Sequence, residues 1–365
     1  MSPHITLRDI AVFARVSPST VSRALGNNPH IPEATRQRIR DAARQLGYHP
    51  NPYVKAFTTY VRNHQDAGHR AIIAVLDITS KSKGHADNTP VQIPFWVKNY
   101  LTALERRAED IGFRIDLFRC RPEDREMKRL NQILKSRGIH GLVILPPREN
   151  ELPPGLDFSG LSTATIDLSL RSPDIPRTSP DYFAGAVLAM KTLRRKGYRR
   201  IGFCTNLEEL HRIGDRWLGG VLFAQHSFPA EEQILPYITP EAKSQKMTEF
   251  WQEMRGDFFR WLDRCRPDVL LSNCLYFYQW AEESGRRIPG QIGFASLSSD
   301  MPTVSENDIS IRHPVSGVDQ QNEKVAARAL DLVANRIYNN EFGLIPDPEM
   351  VLIPPVWRDG ATLRP

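Results

Sequence analysis

The chain has 365 residues, 41% of them hydrophobic and 25% charged, with four cysteines and a formal net charge of +6. That length accommodates two or three domains, and that balance excludes a collagen-like, a disordered or a small disulfide-stapled chain. Residues 1–65 hold nine Lys and Arg against three Asp and Glu, and the remainder balances at 39 of each, so a basic module on a neutral body points to a polyanion, nucleic acid first, with a solvated helical surface as the plain alternative.

In chain order, residues 1–50 read as helices without strands. Thr6 is placed to cap a helix whose apolar positions 7, 10, 11, 13 and 14 follow helical spacing. After a break at Arg15-Val16, Ser17 caps a second helix with Pro18 at its first position, running to about Leu25. A third runs from Pro32 to Leu46 and stops at Gly47. Leu7, Ile10, Val16, Val21, Leu25 and Ile39 are the expected core. Residues 51–70 read as a short helix, Tyr53 to about Arg62, and a polar linker.

From Ala71 the pattern alternates. Strands are expected at Ala71–Leu76, Phe113–Phe118, Gly141–Leu145, Thr163–Ile166, Ile201–Cys204, Val269–Leu271, Ile292–Leu297, Ile309–Ile311 and Val351–Ile353. Helices are expected at Phe95–Ile111, Glu123–Arg137, Phe183–Lys196, Met247–Arg264, Tyr276–Ser284 and Val318–Tyr338. Such alternation implies parallel sheets covered by helices on both faces, and about 295 residues suits two such units.

The motif that carries chemistry is Leu7 to Leu25: two short helices joined by a three-residue turn, a helix-turn-helix. Val16 and Val21 hold the helices at a fixed angle. The second helix presents Pro18, Ser19, Ser22 and Arg23, with its N-terminal amides free to face phosphate. This segment, centred on Val16-Ser17-x-x-Thr20-Val21-Ser22-Arg23, closely resembles the lac-repressor (LacI/GalR) family of bacterial transcription regulators. Ile31-Pro32-Glu33-Ala34-Thr35-Arg36 and Leu46-Gly47-Tyr48-x-Pro50-Asn51 match the family's third helix and its exit. The resemblance covers nearly the whole chain, more loosely over the body.

The resemblance implies an all-α helix-turn-helix DNA-binding domain (1–50), a hinge helix and linker (51–70), and an α/β two-lobed, periplasmic-binding-protein-like effector and dimerisation domain (71–365). By position, Pro18, Ser19 and Arg23 fall where the family reads base edges. Thr6, Ser17, Thr20, Ser22 and Asn27 fall where it contacts phosphates. Tyr53, Lys55 and Phe57 belong to the hinge, with Phe57 at the family's minor-groove wedge; packing of Phe57 on a dimer mate is the alternative. Arg15 departs from the usual small turn residue and is either a phosphate contact or a solvated side chain.

In the body, the resemblance implies a ligand between the lobes at the carboxyl ends of strands, with Phe95 and Trp96 at a helix start, Asp167 after a strand, Arg216 in Asp215-Arg216-Trp217-Leu218-Gly219 and Asn273 at effector-contact positions. Each has a structural alternative: core for the aromatics, a loop cap for Asp167, a surface ion pair for Arg216. Asn273-Cys274 and Leu297-Ser298-Ser299 stand where the family usually has carboxylates. The cleft is therefore more positive than usual, which favours an anionic effector such as a uronate or phosphosugar, or a neutral sugar held differently.

No G-x-S-x-G, H-E-x-x-H, G-x-x-x-x-G-K-[ST] or strand-linked G-x-G-x-x-G occurs, and the ten histidines form no ligand-spaced cluster. No catalytic residue, metal or cofactor is expected. Cys204, Cys265 and Cys274 read as core residues, and scattered cysteines without a signal peptide or long apolar run fit the cytoplasm. The expectation is a sequence-specific regulator, by family default a repressor. It binds a pseudo-palindromic duplex operator as a homodimer and responds to a sugar-like effector. A cytoplasmic sugar-binding or sugar-modifying protein without a DNA role is the alternative.

Overall fold

The computed structural model describes residues 5–26, 28, 30–48, 71–78, 95–120, 124–147, 149–241, 247–299 and 314–364, with backbone only at 95, 96, 124 and 247–249. The expected hinge helix and both boundaries near residues 50 and 70 lie outside these residues, as does the expected strand at Ile309–Ile311.

The N-terminal unit is three helices, α1 (Leu7–Phe13), α2 (Pro18–Leu25) and α3 (Glu33–Gln45). Ile10, Val21 and Ile39 are fully buried at its centre, with Leu7, Val16 and Leu25 half-buried around them. The Asp9 carboxylate accepts from the Thr6 N–H at 2.7 Å and the Thr6 hydroxyl at 2.6 Å, and these bonds hold its pKa below the ordinary value. At the end of α2, the Gly26 carbonyl accepts from Asn340 Nδ2 at 2.5 Å, which joins this unit to the body.

The body is two parallel-sheet lobes. In the first, strands β1 (Ala71–Asp77), β2 (Phe113–Arg119), β3 (Gly141–Ile144), β4 (Ser162–Ile166), β5 (Arg177–Pro180) and β11 (Met350–Ile353) lie in the order β11-β5-β4-β3-β1-β2. Helices α4 (Phe95–Asp110) and α5 (Asp124–Ser136) belong to it. In the second, β6 (Ile201–Asn206), β7 (Tyr237–Thr239), β8 (Val269–Ser272), β9 (Gly293–Ser296), β10 (Ser316–Asp319) and β12 (Val356–Arg358) lie in the order β12-β10-β9-β8-β6-β7. Its helices are α6 (Tyr182–Arg195), α7 (Leu207–Arg212), α8 (Arg216–Gln225), α9 (Met247–Cys265) and α10 (Tyr276–Glu283). Among the described pairings only β10 with β12 is antiparallel. The last long helix, α11 (Asn322–Tyr338), returns to cover the first sheet.

Each sheet is buried on both faces, which is why the strands read as continuous apolar runs. In β1, Ile73 and Val75 join the core under α4 and α11, whereas Ala74 and Leu76 join the core under α5. In β8, Val269 and Leu271 point to the face of α6 and α8, and Leu270 to that of α9 and α10. Full burial of each Val, Leu or Ile contributes about 1.5–3 kcal/mol.

The chain passes between lobes three times: from β5 into α6, from β10 into α11, and from β11 into β12. The passages lie side by side, with the Asp181 N–H donating to the Ile353 carbonyl at 2.9 Å and Gln321 Nε2 to the Pro354 carbonyl. Three parallel connections favour a hinge motion.

One expected element changes type. Residues 316–319 are strand β10, not the start of a helix over Val318–Tyr338. Gly317 pairs with Ser296, so close that a Cβ would sit 2.2 Å from the Ser296 carbonyl oxygen. Gln321, at φ +54°, then separates strand from helix. Strand β5 is Arg-Thr-Ser-Pro, with none of the apolar character its burial suggests. Its Arg177 stays buried because its guanidinium donates to the Leu170 carbonyl at 2.5 Å and to Asp174 at 2.7 Å.

Candidate functional site

Two regions expose organised polar chemistry. In the first, α2 buries Val21 and Ala24 and exposes Ser17, Pro18, Ser19, Ser22 and Arg23, with Thr20 half-buried. Ser17 Oγ accepts from the Thr20 N–H at 3.1 Å and lies 2.8 Å from the hydroxyls of Ser19 and Thr20. Arg23 Nε donates to the Ser19 carbonyl at 3.3 Å. That bond lays the guanidinium back along the exposed face and leaves both terminal nitrogens without a partner among the described residues. A fork held by Nε alone is pre-oriented for a planar acceptor pair. Thr6 is exposed at the N-cap of α1, where it forms a capping box with Asp9. Asn27, Tyr53, Lys55 and Phe57 lie outside the described residues.

The basic excess is not uniformly available. Arg36 and Arg40 both pair with Glu33, and Arg44 pairs with Asp41 at 3.5 Å. Arg8, Arg15, Arg23 and Arg38 are exposed and carry no ion pair among the described residues. Arg15 occupies the turn with φ +52°, the left-handed region that a small residue tolerates best.

The second region is the cleft where the carboxyl ends of the two sheets face each other. Asp167 follows β4 at φ +73° and is 2% exposed. Its Oδ1 accepts from the Leu168 N–H at 2.7 Å and the Tyr182 hydroxyl at 2.8 Å. Its Oδ2 pairs with Arg212 Nη1, across from the second lobe. Arg212 also reaches Glu209 Oε2, at 2.9 Å through Nη2 and 3.3 Å through Nε. Burial lowers the Arg212 pKa, but Asp167, Glu209 and Tyr182 more than offset it, so the group stays charged. Burial, then the Asp167 charge, pushes the Tyr182 hydroxyl far up, so it stays a neutral donor. Its ring meets Trp217 edge-on at 5.1 Å.

Asn206 caps α7 by accepting from the Glu209 N–H at 2.7 Å, and its amide donates to the Cys274 thiol at 3.4 Å. Burial pushes that thiol up to about 12, so it is neutral and supplies no anion. Asn273, beside it, accepts from Thr205 Oγ1 at 2.7 Å. Tyr276 continues this rim, with Trp251 at 5.1 Å and Trp280 at 4.9 Å. Arg216 opens α8 half-buried and bonds to no described residue. The structure thus links Asp167 to Asn273 through Arg212, Glu209, Asn206 and Cys274, and leaves Arg216 separate from that chain. Phe95 and Trp96 begin α4; their side chains are outside the description. Arg212, Glu209 and Tyr182 are not evident from the sequence pattern. A Glu209-x-x-Arg212 pair on a helix opened by Asn206 is the available signal, and α7 is too short to show periodicity.

Among the described residues no cluster of three His, Cys, Asp or Glu could hold a metal ion, and no helix is long and apolar enough to cross a membrane. The four cysteines are free; Cys204 and Cys274 are buried.

Comparison with known proteins agrees with this layout. Residues 6–51 match the bacterial regulatory proteins of the lacI family, and residues 190–362 match a periplasmic binding protein-like domain. The transcriptional regulator GalR of Escherichia coli is 24% identical over 341 residues, covering 91% of this chain and 90% of that protein. The regulator MalR of Streptococcus pneumoniae is 25% identical over 246 residues, 67% of this chain and 70% of that one. In fold, the chain is similar to the regulator CelR in its cellobiose complex, with TM-score 0.55 and 19% identity over 98% of this chain and 99% of that one. It is also similar to the lac repressor dimer bound to operator and an anti-inducer, with TM-score 0.54 and 19% identity over 99% and 100%. A lacI-family DNA-binding unit at the N-terminus and a periplasmic-binding-protein-like body behind it give the chain the two-part layout of the lacI-family transcription regulators to which it is similar.

Proposed function

We propose that two copies of this chain place paired α2 helices in successive major grooves of a pseudo-palindromic operator, and that a small acidic sugar in the cleft controls their grip. The exposed face of α2 carries the reading. Pro18, Ser19 and Arg23 lie toward the bases; Thr6, Ser17, Thr20 and Ser22 lie toward phosphates, with Asn27 after them. Tyr53, Lys55 and Phe57 act from the hinge in the minor groove. Arg23 against a guanine is worth about 1–3 kcal/mol of discrimination. Arg23→Ala therefore loses most preference at one base position of a selected operator. An unchanged preference at every position contradicts the assignment.

The effector assignment rests on charge. Asp167 is engaged by Arg212, the Cys274 thiol is neutral, and Arg216 is half-buried without a partner among the described residues. CelR was captured with cellobiose, so a carbohydrate is the natural core of the ligand here. Arg216 meets its acid group, Asn273 its hydroxyls, and Phe95 and Trp96 one ring face, with the buried Asp167 reached only where the ligand displaces Arg212. Calorimetric titration of the full chain with glucuronate, glucose 6-phosphate and glucose tests this. An acidic sugar binds at least about tenfold tighter than glucose if the pairing is worth about 1.4 kcal/mol. Tight binding of neutral sugars only contradicts it.

A further inference from the structure

The segment Asp167–Arg171 leaves the first sheet and is gripped by the second lobe. Its start is tied to the first lobe, because the Asp167 N–H donates to the Thr178 carbonyl at 2.7 Å. Its end is tied there too, because the Arg171 and Ser172 N–H groups donate to the Asn150 carbonyl at 2.6 and 3.1 Å. Between these anchors Leu170 stays in the first lobe's core, while Asp167, Leu168 and Arg171 turn to the other lobe. Leu168 is 8% exposed and packs with Leu210, Ile213, Trp217 and Tyr182 in the second lobe's core. Arg171 Nη2 donates to the His211 carbonyl at 2.6 Å. The Asp167 carboxylate pairs with Arg212.

We propose that Asp167 and Arg212 form a latch that holds the lobes together in the absence of effector, with Arg212 as the residue that positions the strap. Separating the lobes would take both Arg212 and the Tyr182 hydroxyl away from the Asp167 carboxylate at once. Arg212 is held for this role from behind by Glu209, one turn earlier on α7. The latch also occupies the carboxylate that a sugar hydroxyl would otherwise take. The open arrangement is then a minor population, and a ligand that needs it binds weaker by that fraction. The inference goes beyond the regulator reading, and the test below uses neither DNA nor effector, so the two fail separately.

The experiment is single-molecule energy transfer on the full-length, ligand-free protein, with dyes on non-natural residues at the exposed positions Glu109 in the first lobe and Gln252 in the second. Asp167→Asn preserves the shape and the bonds from Leu168 and Tyr182 while removing the charge. The wild type shows one dominant short distance. Asp167→Asn raises the long-distance population about tenfold, Arg212→Gln does the same, and the double variant opens no further than either single. Distance distributions unchanged by Asp167→Asn overturn the latch, whether or not Arg212→Gln folds. Openings that add in the double variant overturn it as well, since they would show the two residues acting separately.

Discussion

At the scale of single residues, the reading helix was legible because its chemistry is local. Ser17, Pro18 and Thr20 sit where a cap, a first-turn proline and a capped amide belong, and all three occupy those places. Arg15 was visible only as a departure; its φ of +52° supplies the reason that a small residue is favoured there. Relief of that strain is worth about 1 kcal/mol, partly offset by the greater freedom of glycine when unfolded. Arg15→Gly is therefore expected to slow amide hydrogen exchange across α1 and α2; faster exchange would mean that Arg15 makes a stabilising contact. Asp167, by contrast, is picked out by the sequence as a candidate contact, but nothing in the sequence marks it as a paired residue. Its partner lies 45 positions away on a helix too short to announce itself.

At the scale of elements, long apolar strands and amphipathic helices follow from periodicity, and the failures have specific causes. Strand β5 is polar because its backbone pairs on both sides and its arginine is satisfied internally. Helix α8 is obscured by Gly219-Gly220, yet Gly220 is what allows α8 to lie on α6. A Cβ there would sit 2.6 Å from the Phe183 carbonyl oxygen and 2.8 Å from Ala186 Cβ. Backbone cannot yield as a side chain can, so Gly220→Ala is expected to lower stability by about 1–3 kcal/mol through overpacking. A denaturant titration of the full chain would record this as a lower midpoint; an unchanged or raised midpoint would mean that the two helices have room to separate.

At the scale of the whole molecule, three side-by-side crossings, an interlobe ion pair and a basic helical unit joined to the first lobe form one connected system. A change in lobe angle displaces the first lobe relative to the second, and the helical unit is attached to the first lobe at Asn340 and Gly26. In a symmetric pair that displacement alters the spacing of two reading helices, which is the quantity a palindromic operator measures. Differential affinity of the effector for the two lobe arrangements sets how far the spacing shifts.

The central claim is that this chain reads duplex DNA through α2 with two-fold symmetry. The direct measurement is selection from a random duplex library with the full-length protein, followed by a salt titration of affinity on the enriched sequence. The account predicts an inverted repeat whose enrichment is lost with Arg23→Ala, and an affinity that falls steeply as salt releases phosphate-bound counterions. No enriched repeat at any salt concentration, or one that survives Arg23→Ala unchanged, would contradict it.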